Sequence, residues 1–169
     1  ACTLFAWWGF NLWLPGFLSM PAASGGIGLS AAVMSWFVMA MQVGMWFGYV
    51  TFGYISDAVG RKRAYVAYLV TAAVLIAVYT SLRTPILLLL LGPFVAFFAT
   101  GYFSGFGAVT AEIYPTEIRA TAQGLTYNLG RIASAAAPFT VGTLAQTRGF
   151  DVALSTTSVA FVLAAVLWI

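Results

Sequence analysis

The sequence has 169 residues, of which 62% are hydrophobic and only 7% charged, with a formal net charge of +3 and no histidine. A water-soluble domain carries roughly 25% charged residues, so this composition excludes a surface wetted on all sides. The solvent is lipid, and the basic excess, confined to a few connections, bears on membrane topology and not on nucleic acid.

A transmembrane helix needs roughly 20 apolar residues, and about six such helices with short connections use up the length. No polar extramembrane domain is left over. Cys2 is the single cysteine, so it offers neither an intrachain disulfide nor a metal cluster, and no cofactor is implied. The chain opens without Met and stops at Leu167, Trp168 and Ile169 without a polar tail, so it reads as a fragment of a longer protein. Residues 1–18 lack a basic leader and carry Trp7, Trp8 and Trp13, which argues against a signal peptide.

The first predicted helix covers 4–18. Its Asn11 either bonds a neighbouring helix or lines a cavity, and Pro15 and Gly16 loosen its far end. The Pro, Ser and Gly connection at 20–28 has no Lys or Arg, as expected on the outer face. A second helix starts after Ser30, a good N-cap, and runs to about residue 55. Gln42 lies near its middle. Gly44 and Gly48 form a small-xxx-small pair that predicts a packing seam.

The third helix, 64–82, is polar only in Tyr and Thr and is expected to face lipid or packing surface; Arg83, Thr84 and Pro85 form its outer turn. The fourth, 86–111, holds Gly92 and Pro93 early and Gly101, Gly105 and Gly107 late, and is expected to bend. EIYPTEIRA follows, with Glu112, Glu117 and Arg119, and with Thr116 as a candidate N-cap.

In the fifth helix, 117–143, Gln123, Tyr127 and Arg131 recur at i, i+4 and i+8, with Asn128 and Ser134 near the same face. Arg131 is about a dozen residues, or roughly 18 Å of rise, from the charged connection, too far to snorkel back. A cation in a span costs ~3 kcal/mol even on a lenient scale, so this one is expected to face a hydrated cavity. Residues 135–138 end the stripe and bend the helix. After a connection at 146–151 the sixth helix runs from 152 to the end.

The stretch GYISDAVGRKR at 53–63 joins the second and third helices and carries Asp57, Arg61, Lys62 and Arg63, four of only eleven charged residues. Glycines let the two helices turn tightly, and a helix C-terminus is a favourable place for the cations. With connections alternating between faces, Arg61, Lys62, Arg63 and Arg119 share one side, and Arg83 and Arg148 the other. The hairpin side is assigned to the cytoplasm.

Gly53, Asp57, Gly60, Arg61 and Lys62 also match a GxxxDxxGRR/K loop, and on that ground the chain resembles the major facilitator superfamily. EIYPTEIRATAQG at 112–124 and YNLGR at 127–131 are similar to the C-terminal half of sugar porters and of organic-acid and aromatic-acid proton symporters. The resemblance covers all six helices in order. It implies an all-α integral membrane fold of six transmembrane helices, with residues 1–169 as the C-terminal half of a twelve-helix transporter whose N-terminal half is absent. It further implies a secondary transporter working by alternating access with proton symport, not an enzyme. The implied location is the bacterial inner (plasma) membrane, with 56–63 and 112–119 in the cytoplasm. Its partners would be a small-molecule solute, protons, the lipid bilayer and the N-terminal half, with no nucleic acid.

In that family the cytoplasmic loops form a charge network that holds the inner gate. Carried over, the network is Gly53, Asp57, Gly60, Arg61, Lys62, Glu112, Glu117 and Arg119, with Arg61 and Lys62 pairing with Glu112 or Glu117, and Arg119 with an acidic residue of either half. Alternatively these are interfacial charges in water, each pair contributing about 0–1 kcal/mol. Asp57, a poor choice for a purely basic loop, favours the gate.

The candidate substrate-cavity residues are Arg131, Asn128, Tyr127, Gln42 and Asn11. Sugar porters carry a glutamine pair in the seventh helix, and the corresponding helix here has Trp7, Trp8, Asn11 and Trp13 instead. That departure moves the expected solute from a sugar towards an organic or aromatic acid anion. Arg131 either pairs with its carboxylate or neutralises an acidic residue of the other half. No Asp or Glu lies deep in a span, so a symporter's proton-carrying carboxylate would belong to the other half. The competing readings are a sugar or polyol porter, a transporter-like solute sensor and a membrane-embedded enzyme. The last lacks histidine, a second cysteine and a buried acid pair for its chemistry.

Overall fold

The computed structural model describes residues 2–168, apart from the side chain of residue 133. Among the described residues eight α-helices follow one another: α1 (Cys2–Ser19), α2 (Ala31–Val59), α3 (Arg61–Ser81), α4 (Pro85–Gly101), α5 (Phe103–Ile113), α6 (Arg119–Ser134), α7 (Ala136–Arg148) and α8 (Phe150–Trp168), with a short 3-10 turn (Ala22–Ser24) between α1 and α2. No strand occurs among the described residues. Four stretches, Ala31–Val59, Arg61–Ser81, Pro85–Ile113 and Phe150–Trp168, are long and apolar enough to cross a bilayer, with α4 and α5 acting as one. The 18-residue α1 and the α6–α7 pair are not among these four, so length and composition alone support four of the six expected spans. The expected extension of the last helix to residue 169 lies outside the described residues.

Two of the predicted helices are interrupted. The fourth breaks at Tyr102, where Gly105 N–H reaches Tyr102 O at 3.2 Å, an i→i+3 bond that tightens one turn. Pro93 sits inside α4 without ending it. The fifth breaks at Ala135, whose N–H is shared between Arg131 O at 3.0 Å and Ile132 O at 3.2 Å. Pro138 has no N–H for the carbonyl of Ser134, so the ladder loses a rung where the sequence places the bend.

The connections are shorter than the sequence suggests. α2 runs to Val59 and α3 starts at Arg61, which reduces the charged hairpin to Gly60 at φ 97° and ψ 141°. Gly149, at φ 92° and ψ 159°, turns α7 into α8 in the same way. This backbone region is open essentially to glycine alone.

The electrostatics must be corrected accordingly. Arg61, Lys62 and Arg63 fall in the first turn of α3, at the positive end of its dipole, and Asp57 falls in the last turn of α2, at the negative end. Both signs oppose what the helix dipoles favour, so side-chain partners must offset them. Ser30 caps α2 as expected, accepting from Val33 N–H at 3.5 Å. Thr116 does not cap α6, whose N-cap is Ile118 without a side-chain bond.

Packing follows the small residues. A Cβ at Gly44 would come 2.1 Å from Pro93 O and one at Gly48 2.5 Å from Phe97 O, so α2 and α4 touch backbone to backbone. This is the predicted seam. α3 packs against α8 and α4 and buries Tyr65, Tyr68, Leu69, Ile76 and Tyr79. α1 packs against α6, α7 and α8, and its Phe10 and Phe17 meet Tyr79 with ring centroids 6.5 and 6.3 Å apart.

The outer surface carries many large apolar side chains, with Trp36 66%, Tyr54 78% and Phe139 77% exposed, an arrangement suited to lipid or to another apolar partner. Buried threonine hydroxyls bond carbonyls of their own helices, Thr80 Oγ1 to Ile76 O at 3.0 Å and Thr110 Oγ1 to Phe106 O at 2.7 Å, and Thr80 Oγ1 also meets Ser155 Oγ on α8 at 2.8 Å.

Candidate functional site

Tyr127, Asn128 and Arg131 share one turn of α6, and all three are exposed. Arg131 Cζ lies 6.0 Å from the centre of the Tyr127 ring, the outer limit of a cation–π contact. No carboxylate pairs with Arg131 among the described residues. Asn128 Nδ2 donates to Gly124 O at 2.8 Å and so stays on its own helix. Gln123 turns away from the open face: its Nε2 donates to Gly107 O and Thr110 Oγ1, both at 2.9 Å, tying α6 to α5. The predicted stripe therefore divides. Gln123 holds two helices together, while Tyr127 and Arg131 remain open.

Asn11 and Gln42 come together separately, lining a cavity of about 20 Å³ between α1 and α2. That volume suits a single water and no solute. Trp7 lines this cavity and also a wider one of about 230 Å³ that reaches Tyr127, so it links the two groups of predicted residues. The wider cavity is walled in addition by Tyr49, Phe103 and Phe106, which sequence reasoning missed. The available signal was the pairing of Phe103 and Phe106 at i, i+3, interleaved with Gly105 and Gly107.

Arg61 is the hub of the charged turn. Its Nη1 lies 2.6 Å from Asp57 Oδ1 and donates to Ser56 Oγ at 2.7 Å, while its Nε donates to Glu112 Oε1 at 3.3 Å. One guanidinium fork thus joins the end of α2, the start of α3 and the end of α5, and offsets the charges that the helix dipoles oppose. The pair with Glu112 remains partly open, with the side chains 31% and 57% exposed.

Arg119 behaves otherwise: its Nε donates to Tyr114 O at 3.3 Å and its Nη2 to Thr116 Oγ1 at 3.5 Å, within its own connection. Among the described residues it meets no carboxylate. Lys62 and Glu117 are exposed. Gly53 has open space where a side chain would stand, and Gly60 makes the turn.

A second clamp closes the opposite end of α3. Arg83 Nη2 donates to Asp151 Oδ2 at 2.7 Å and Nη1 to Gly25 O at 3.1 Å, so the connections after α1 and α3 are tied to the start of α8. Sequence reasoning counted Arg83 only for topology. The signal was an acid, Asp151, placed in a connection on the same side as Arg83.

The chain matches the family described as Major Facilitator Superfamily over residues 1–169. A putative metabolite transport protein of Haemophilus influenzae is 34% identical over 159 residues, covering 94% of this chain and 38% of that protein. The putative niacin/nicotinamide transporter NiaP of Bacillus subtilis is 33% identical over 164 residues, covering 96% of this chain and 40% of that protein. A cis,cis-muconate transport protein of Acinetobacter baylyi is 30% identical over 145 residues, covering 84% and 33%. The chain therefore spans about two fifths or less of the length of these relatives. No solved structure matches the chain significantly. The relatives are named as transporters and not as enzymes, and apolar helices of membrane-crossing length make this an integral membrane protein. Matched along its whole length, the chain belongs to the major facilitator superfamily.

Proposed function

We propose that the chain is the C-terminal, six-helix half of a twelve-helix secondary transporter that moves a small organic or aromatic acid anion with protons by alternating access. The observation that carries this reading is Arg131. It is a guanidinium on the open face of α6, beside Tyr127 and without a carboxylate among the described residues. A cation at membrane depth costs several kcal/mol unless water or an anion reaches it, so a hydrated cavity that admits a carboxylate is its least costly setting. The names of the relatives support the class, since niacin and cis,cis-muconate are both carboxylic acids.

In this reading α1 and the α6–α7 pair complete six spans. The α2–α3 turn and the α5–α6 connection then share the side holding Arg61, Lys62, Arg63 and Arg119, which is cytoplasmic by charge, and Arg83 and Arg148 lie outside. The membrane is the inner membrane of a bacterium, as the relatives' sources suggest. The Arg61 cluster acts as an inner gate: ion pairs formed in one conformation and broken in the other bias alternating access without touching the solute. The four acids of this chain lie at helix ends or in connections, so the carboxylate that carries the proton belongs to the N-terminal half.

The test is uptake of a labelled carboxylate panel and a sugar panel by the full-length protein in proteoliposomes, with and without an inward proton gradient. Gradient-driven carboxylate uptake that Arg131→Gln abolishes is the expected result. Sugar uptake that survives the substitution overturns the anion reading.

A further inference from the structure

Four helices, α1, α2, α5 and α6, converge on the cavity of about 230 Å³, and none of its lining comes from α3 or α8. Six of its eight lining residues are aromatic, Trp7, Trp8, Tyr49, Phe103, Phe106 and Tyr127, and the other two are Leu4 and Gly107. No acid, amide or basic side chain lines it. The rings brace one another, Trp7 against Phe103 at 6.2 Å and Phe106 against Tyr127 at 6.0 Å between centroids, in edge-on and tilted arrangements. Paired in this way, the rings hold a shape instead of collapsing into the space. The slot is open on one side, with Trp8 40%, Tyr49 38% and Tyr127 39% exposed.

Charge lies close to one wall of this cavity although outside its lining. Tyr127 is that wall, with the Phe106 ring 6.0 Å from its ring centre and the Arg131 guanidinium also 6.0 Å from it. Gly107, also in the lining, would meet nothing within 4 Å if it bore a Cβ, so the floor there is open space. A cavity of roughly 150 Å³ accommodates one benzene ring, so this one has room for a single ring with a carboxylate. A sugar requires several convergent hydrogen-bonding groups, whereas the hydroxyls of Tyr49 and Tyr127 and the indole N–H groups are the only polar side-chain atoms that the lining residues carry.

We propose that this cavity is an aromatic slot that takes the planar ring of a conjugated or aromatic carboxylate, with Arg131 receiving the carboxylate at its edge and with Tyr49 and Phe106 setting specificity for planarity. The proposal rests on the acid-carrier reading and narrows it to planar acids. Stacking against aromatic walls rewards a flat π-system beyond its apolar area, so a saturated ring of the same size and charge binds less tightly.

The experiment is equilibrium binding to the full-length protein in nanodiscs with four probes: benzoate, cyclohexanecarboxylate, benzamide and glucose. Benzoate is expected to bind roughly three- to ten-fold more tightly than cyclohexanecarboxylate, the range that stacking supplies. Phe106→Leu, on α5, and Tyr49→Leu, on α2, each bring that ratio towards one by weakening benzoate more than cyclohexanecarboxylate. Phe106→Tyr retains the ratio. Arg131→Gln weakens both acids together, preserves their ratio and leaves benzamide unaffected.

A wild-type ratio near one, or a ratio that neither Leu variant moves, overturns the slot even if Arg131-dependent acid binding persists and the acid-carrier reading stands. Glucose binding without acid binding overturns both. Failure of the wild-type protein to bind benzoate also overturns the proposal.

Discussion

Trp13 Nε1 donates to Pro138 O at 3.0 Å, tying α1 to the first turn of α7 just beyond the α6–α7 interruption. The indole lies over Gly142, where a Cβ would come 2.7 Å from Trp13 Cζ2, and against Phe150 with ring centroids 5.7 Å apart. α7 is therefore docked. α6, by contrast, fully buries only Gly130 and Ser134 among its described residues. The helix that carries Tyr127 and Arg131 is the less buried of the two, and Trp13 fixes α7 at the end where they meet.

Trp13→Phe removes the indole donor together with the outer part of the ring that covers Gly142. It is expected to lower the stability of the full-length protein by at least about 1 kcal/mol, the usual net value of one hydrogen bond, with the lost packing added to it. Trp13→Ala also loses the ring and is expected to cost clearly more. Thermal melts in detergent check both, and equal melting temperatures for the wild type and Trp13→Phe would show that the bond contributes nothing.

The α2–α4 seam predicts a sharp contrast between glycines. Gly44→Ala forces a methyl against Pro93 O, a backbone atom that cannot step aside, and is expected to destabilise by ~1–3 kcal/mol or more. Gly124→Ala, on exposed α6 with nothing within 4 Å of the added carbon, is expected to be neutral or to stabilise by up to about 1 kcal/mol through helix propensity. Melting temperatures that shift alike for the two variants would remove the seam from the account.

Arg61 makes different bonds to two acids, and that decides the outcome of a charge swap. Arg61→Glu alone gathers three carboxylates at one turn, next to Asp57 and Glu112. Adding Glu112→Arg restores the pair across α3 and α5 but leaves the new glutamate beside Asp57, so rescue of uptake is expected to be partial. Full rescue would mean that the 2.6 Å contact with Asp57 is dispensable. Neutralising Glu112 alone, as Glu112→Gln, should change stability by no more than ~1 kcal/mol, because its pair with Arg61 is partly water-exposed.

At the opposite end of α3, the backbone should matter more than the charge. Gly149 holds φ 92°, and a Cβ there would also come 2.9 Å from Asp151 Oδ1. Gly149→Ala is expected to cost ~1–3 kcal/mol through strain. Asp151→Asn breaks an exposed ion pair with Arg83 and is expected to cost about 1 kcal/mol or less, with the difference shrinking in high salt. A larger loss for Asp151→Asn than for Gly149→Ala, by melts at two salt concentrations, would reverse that order.

The sequence by itself determined the solvent, the helical class, the family and the locations of the charged turns. Each of these depends on composition or on spacing along one chain: apolar runs with few charges, glycines four apart on α2, and Gly60 among Asp57, Arg61 and Lys62. It also indicated where α6 and α7 separate, because Pro138 lacks a donor wherever it stands. The direction in which each polar side chain points was decided only by the tertiary structure. Gln123 and Tyr127 are one helical turn apart and read as one stripe, yet Gln123 is drawn to Gly107 O and Thr110 Oγ1 on α5 while Tyr127 stays open. The three helices joined at Arg61, the Arg83–Asp151 clamp and the aromatic walls contributed by α1, α2, α5 and α6 likewise depend on residues far apart in the chain. Such contacts arise from how the helices pack, and periodicity within one helix carries no information about which neighbour a given face will meet.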